Sequence, residues 1–305
     1  MKIVWVLVLL ITSQCVVIVS GQDDSLFESE QFGIAVANGT SWRKYDVLIK
    51  EATFVREELG SSELQKSEFP KSFDRSIRLA IDWDEKIVFC LSKTQSTLQL
   101  KELFDLELIA KSKEFSRWVR YPGGKRRLEP AEMLMILMKP GLTVPDIRFV
   151  GMQPFPIAFN EGFDQQAATF QTMPSSDNVK VSRTHDTIQV AINGGESTIV
   201  RLYDVKSLMM KQMYIRLKKD GRMFLDQEIS WIEKDGVFLP VSIIGEKYKP
   251  NENVTQFSSV SIMWRSVNEM LNPSLFDAKV LDDVKGLEGL VDEDLFKRGG
   301  CLNRD

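Results

Sequence analysis

Histidine occurs once in the 305 residues and cysteine three times. A single imidazole excludes a His-rich zinc site, a histidine pair on one helix and a two-His iron centre. Three thiols exclude zinc or an iron–sulfur cluster held by four thiolates. There is no basic surplus either: 39 Lys and Arg stand against 43 Asp and Glu, a net charge of −4. A generic nucleic-acid binder carries a basic excess or a basic stripe, so nucleic acid is not an expected partner. The chain has no Gly-x-Ser-x-Gly elbow, and neither Gly123-Gly124 nor Gly194-Gly195 has the spacing of a phosphate-binding loop. What is present, 43% apolar and 27% charged residues, is the composition of a globular protein of one large domain or two ordinary ones.

Residues 1–21 read as a secretory signal: Lys2, an unbroken apolar run from Val4 to Leu10, then the small residues Ser20 and Gly21. The competing reading is a membrane anchor. Ile3 to Val19 is about 17 residues, the lower limit for a span, and Thr12, Ser13 and Gln14 interrupt it. The expectation is therefore cleavage, export to the periplasm or exterior of a bacterial envelope, and no stable membrane span afterwards. Removing Lys2 shifts the charge by one, and two cysteines remain, Cys90 and Cys301. In an oxidising compartment these could pair and close a long loop. The alternative is a buried thiol at Cys90 and a separate one in the tail.

Beyond a leader containing one helix, about residues 26–36, and a turn at Asn38-Gly39, alternation dominates. Tyr45, Val47, Ile49, Thr53 and Val55 share one phase, against Asp46, Lys50 and Arg56. Ile77, Leu79, Ile81 and Trp83 repeat the pattern against Arg78, Asp82 and Asp84. Period two of this kind predicts half-buried strands. Further strands follow at Leu106–Ser112 and Phe115–Tyr121, then from Val179 to Val267, with Asn193-Gly194-Gly195 and two Lys-Asp-Gly sequences as turns. Turns spaced by about 12–15 residues indicate a long-stranded antiparallel meander that curves strongly or forms an open barrel. The middle, about 128–175, reads differently: a buried helix at Pro130–Met138, an ordered loop over Ile147–Phe159 and a second short helix at Gly162–Phe170. The fold class is α+β, mainly antiparallel β, with a few short helices packed on or in the concave face.

Four stretches carry a family resemblance. They are the helix exit Trp42-Arg43-Lys44-Tyr45-Asp46-Val47, the paired strands Ile77–Trp83 and Ile87-Val88-Phe89, the hairpin Asp235-Gly236-Val237-Phe238-Leu239-Pro240-Val241, and the closing Met263–Glu269 with Pro273-Ser274-Leu275-Phe276-Asp277. Over about residues 40–280 their order resembles the LolA-like half-barrel superfamily of periplasmic lipoprotein carriers, which includes RseB-like envelope-stress sensors. The resemblance implies one half-barrel domain over 22–278, a tail over 279–305, and a concave apolar face able to hold a lipid, a lipoprotein acyl chain or a partner's apolar segment. The segment between Pro122 and Asn178 is long for a simple carrier.

The inward phase Ile77, Leu79, Ile81 and Trp83 is the candidate ligand surface, with Met133, Met135 and Met138 of the Met-rich middle as its cover. No residue is assigned a catalytic, cofactor or metal role. His185 and Asp186, adjacent on a strand, would point to opposite faces and cannot readily bond as a triad needs. Lys125-Arg126-Arg127, at a hairpin tip, could meet anionic headgroups or an acidic partner, but a solubilising turn is the favoured reading. The sequence thus predicts an exported, non-enzymatic binder of a hydrophobic ligand or apolar peptide. The alternatives are a structural or envelope-sensor module with a self-filled core and a protein partner in the envelope, and, more remotely, an envelope hydrolase.

Overall fold

The computed structural model describes residues 24–57, 72–96, 106–112, 116–121, 124–127, 144–152, 178–249 and 254–276. A helix, α1 (Asp24–Ser41), leads into the first six strands: β1 (Lys44–Glu57), β2 (Ser72–Asp82), β3 (Ile87–Ser96), β4 (Leu106–Lys111), β5 (Ser116–Tyr121) and β6 (Gly124–Arg127). A short 3-10 turn, Ile147–Phe149, separates these from seven more: β7 (Val179–Arg183), β8 (Thr187–Asn193), β9 (Ser197–Asp204), β10 (Met210–Leu217), β11 (Met223–Lys234), β12 (Val237–Lys249) and β13 (Val254–Val267). A second 3-10 turn, Pro273–Phe276, follows.

All thirteen strands join one antiparallel sheet in the order β6-β5-β4-β3-β2-β1-β13-β12-β11-β10-β9-β8-β7. The chain makes two meanders. One steps outward from β1 to β6; the other starts at the far end with β7 and steps inward until β13 lies against β1. β6 and β7 stand at the two ends of the sheet and, among the described residues, do not pair with each other, so it is open.

The hairpin chemistry is local. Between β11 and β12, Asp235 and Gly236 both have positive φ (52° and 76°), as a two-residue turn of matching twist requires. Pro240 sits inside β12 at the bulge where Ser230↔Ser242 gives way to Trp231↔Pro240, a place that needs no N–H. α1 is longer than the 26–36 expected and runs through Asn38-Gly39, which is not a turn. Asn38 is bound on both sides of its amide there: Nδ2 donates to the Phe238 carbonyl at 2.8 Å, and Oδ1 accepts the Phe238 N–H at 2.9 Å.

One face of the sheet, the inner one, carries a continuous apolar cluster drawn from β1 to β4 and from β8 to β13. The residues 144–152 lie on it. Arg148 stacks on Trp83 at the end of β2, and Gly151 lies against Trp231 of β11. Those strands are four spacings apart, about 19 Å in a flat sheet, whereas three residues of chain reach about 11 Å. The long side chains of Arg148, Trp83 and Trp231 span the difference.

The outer face of β1 to β5 departs from expectation. A half-buried strand exposes its polar phase, yet Asp46 and Arg78 are only 6% and 4% exposed. On the same face lies a second apolar cluster, Ala80, Phe89, Leu91, Leu106, Leu108 and Ala110, packed with Leu271 and Leu275. The chain's exit from β13 folds back over this half of the sheet. No helix among the described residues is long and apolar enough to cross a membrane.

Candidate functional site

The inner face is built from the alternation of β2. Ile77, Leu79 and Ile81 point to the same side and are each 0% exposed. Register places Ile49, Val47 and Tyr45 of β1 beside them, then Ile262 and Trp264 of β13; Cys90 and Val88 of β3 face Leu79 and Ile81 from the other side. Val144, Ile147 and Val150 pack into this cluster, so the ledge is covered by the chain's own middle segment. Met133, Met135 and Met138, the expected cover, lie outside the described residues, as do residues 1–21, Cys301 and the 279–305 tail.

The covering segment contains an ion pair that the sequence reading missed. Asp146 is 0% exposed and takes three N–H groups from Arg148: the backbone N–H at 3.1 Å, Nε at 3.0 Å and Nη2 at 2.8 Å. The Arg148 guanidinium carbon then lies 3.3 Å from the Trp83 ring centre, a cation–π contact in a desolvated place. Trp83, the fourth expected ligand contact, is thus half-buried under an arginine. Two charges inside the apolar run Val144–Val150 were the available signal, since only a partnered pair is tolerated there.

Aromatic rings close one end of the face. Trp264 is fully buried, donates Nε1–H to the Pro240 carbonyl at 2.8 Å, and meets Trp42 and Tyr45 edge-on at 5.2 and 5.8 Å. Burial, and then the nearby Asp146 carboxylate, hold the Tyr45 hydroxyl well above a phenol's ordinary pKa, with Arg148 opposing. Cys90 is buried in the same cluster, and that burial is the chief cause of its raised thiol pKa. Toward the other end the inner phase turns polar, with Glu51 and Arg75 paired across β1 and β2.

Elsewhere, His185 is exposed on the turn between β7 and β8, where Thr184 Oγ1 donates to Asp186 Oδ1 at 3.2 Å. Lys125-Arg126-Arg127, expected at a hairpin tip, form most of the edge strand β6. An open groove of 690 Å³ involves Asp204, Lys211, Glu228, Glu233 and Trp231. Lys211 closes on Asp204 at 2.7 Å there. Among the described residues, no group of three or more His, Cys, Asp or Glu side chains is placed to hold a metal ion.

An open, curved antiparallel sheet with its own segment on the inner face is therefore the architecture of this chain. No protein-family model matches the sequence, and no curated protein matches it significantly. Solved structures do resemble it. A putative outer membrane lipoprotein-sorting protein domain from Vibrio parahaemolyticus aligns over 85% of this chain and 100% of its own, at 10% identity and a TM-score of 0.40. A LolA superfamily protein from Nitrosomonas europaea aligns over 83% and 98%, at 9% identity and 0.36. A DUF1329 family protein from Desulfovibrio piger aligns over 84% and 99%, also at 9% and 0.36. The chain is similar to these in architecture, and no ligand, partner or site residue is carried over from values this low.

Proposed function

We propose that this chain is an exported, non-enzymatic binding protein of the cell envelope whose inner face takes the apolar part of a lipid, a lipoprotein acyl chain or an apolar peptide. The observation that supports the reading is the kind of cover on that face. Ile77, Leu79 and Ile81 belong to one apolar cluster with Val144, Ile147 and Val150, residues of a segment outside the sheet's long β meanders. Such a cover can be exchanged for another apolar chain while the strand ladders stay intact. A ligand gains about 25 cal/mol for each Å² of apolar surface it buries, and the displaced segment gives back part of that gain. Lipid extraction and native mass spectrometry of protein purified from its own cells test this. A stoichiometric acyl-bearing molecule is the expected result. Protein that carries none and binds no added lysophospholipid contradicts it.

The same burial favours a second reading, a structural or envelope-sensor module whose face stays filled by its own segment. That reading expects one stoichiometric protein partner in a pull-down and no lipid.

A further inference from the structure

The described residues include three buried Arg–carboxylate pairs, and one is built unlike the others. Arg78 grips Asp46 fork to fork, Nε on Oδ1 at 3.2 Å and Nη2 on Oδ2 at 2.8 Å. Arg148 grips Asp146 in the same way, at 3.0 and 2.8 Å. That geometry uses both carboxylate oxygens and is the strong form of the pair. Arg75 instead places Nε and Nη2 on a single oxygen of Glu51, Oε2, each at 2.7 Å. Glu51 Oε1 is buried and, among the described residues, accepts no hydrogen bond. A pair that served only to hold β1 to β2 would gain by using both oxygens, because a buried acceptor left unmade is costly.

The position of the free oxygen gives it a meaning. Glu51 stands opposite Arg75 in the β1–β2 ladder, and Ile49 opposite Ile77 is the next pair on the same face. Val260 of β13 faces Glu51 from the other side. The carboxylate therefore sits where the apolar ledge Ile77, Leu79, Ile81 ends. A chain lying along that ledge would bring its polar head to Oε1.

We infer that the inner face recognises an amphipathic molecule whose head is a neutral N–H or O–H donor, an amide or a hydroxyl, given to Glu51 Oε1, with the apolar chain along Ile77, Leu79 and Ile81. This rests on the proposed binding at that face. A neutral head is assigned because Glu51 already has a cationic partner in Arg75, and an ammonium head would add the cost of desolvating a second cation there.

The test uses the purified full chain and two probes that differ in one N–H, N-methyldodecanamide and N,N-dimethyldodecanamide, with dodecylammonium as a third. The secondary amide is expected to bind at least about tenfold more tightly than the tertiary one, the scale of one hydrogen bond to a charged group. Dodecylammonium should bind more weakly than the secondary amide. In Glu51→Gln the side-chain carbonyl turns to Arg75, which only donates, and the amide NH2 takes the place of Oε1. The preference is then lost or reversed, while the extra methyl of the tertiary amide still acts sterically. Equal binding of both amides to the wild type, a preference kept in Glu51→Gln, or tightest binding of dodecylammonium overturns the head-group assignment and leaves the apolar-face reading standing. Failure of all three to bind overturns that reading and this one with it.

Discussion

At Trp264 a single side chain carries ring packing and a hydrogen bond together. Trp264→Ala should cost about 3–5 kcal/mol, the range for emptying a buried aromatic site. Trp264→Phe keeps most of the ring but leaves the Pro240 carbonyl without its donor, at about 1–3 kcal/mol. Urea unfolding of the two variants checks both the size and the order. Cys90 gives a chemical test of the same cluster. Burial pushes its pKa up, so the thiol stays protonated near neutral pH, and the thiolate is the reactive form. Native protein at pH 8 should resist alkylation at Cys90, and denatured protein should react fully, as read by mass spectrometry.

Elements are held by the charges that alternation alone could not interpret. In the β9–β10 turn, Asp204 Oδ1 accepts the N–H groups of Lys206 and Ser207 while Oδ2 meets Lys211. Lys211 first, and then Ser207, hold its pKa well below the usual carboxylate range. A depressed native pKa stabilises the fold above the unfolded value near 4 and loses that effect as pH falls toward the native value. Asp204→Asn, which keeps the turn acceptor, should therefore cost about 1 kcal/mol at pH 7, with the gap narrowing below about pH 4 in pH-dependent melts. The segment over the inner face depends more strongly on its own pair. Arg148→Met leaves Asp146 buried and unpaired and should cost about 3–5 kcal/mol. Adding Asp146→Asn should restore much of it, which a double-mutant cycle measures. Gly151 sets the path of this segment: its φ is +89°, and an added Cβ would stand 3.0 Å from the Trp231 ring.

In the whole molecule, the central seam joins β1 to β13, strands some 200 residues apart in the chain, so the sheet closes its middle last in sequence. The meanders themselves were legible, because period two and the Asp-Gly and Gly-Gly turns are local signals. Besides the Asp146–Arg148 pair, three things were not. Asn38-Gly39 reads as a turn until Phe238, far along the chain, supplies the partner that keeps it helical. Asp46 and Arg78 read as a solvated face until Leu271 and Leu275 return to pack on that face. Glu51 breaks the apolar phase of β1 in plain view, but its meaning lies in which of its oxygens Arg75 takes. Each miss is a tertiary contact overriding a correct local reading.

Binding as proposed requires the inner face to exchange residues 144–152 for an apolar ligand. Amide hydrogen exchange with and without a lysophospholipid measures it directly. The N–H groups of Val150 and Met152 bond within the segment, to Ile147 and Phe149, at 3.1 and 2.9 Å. These amides should lose protection on binding while those of β1 and β2 keep theirs. Unchanged protection of the segment with the lipid bound would contradict the account.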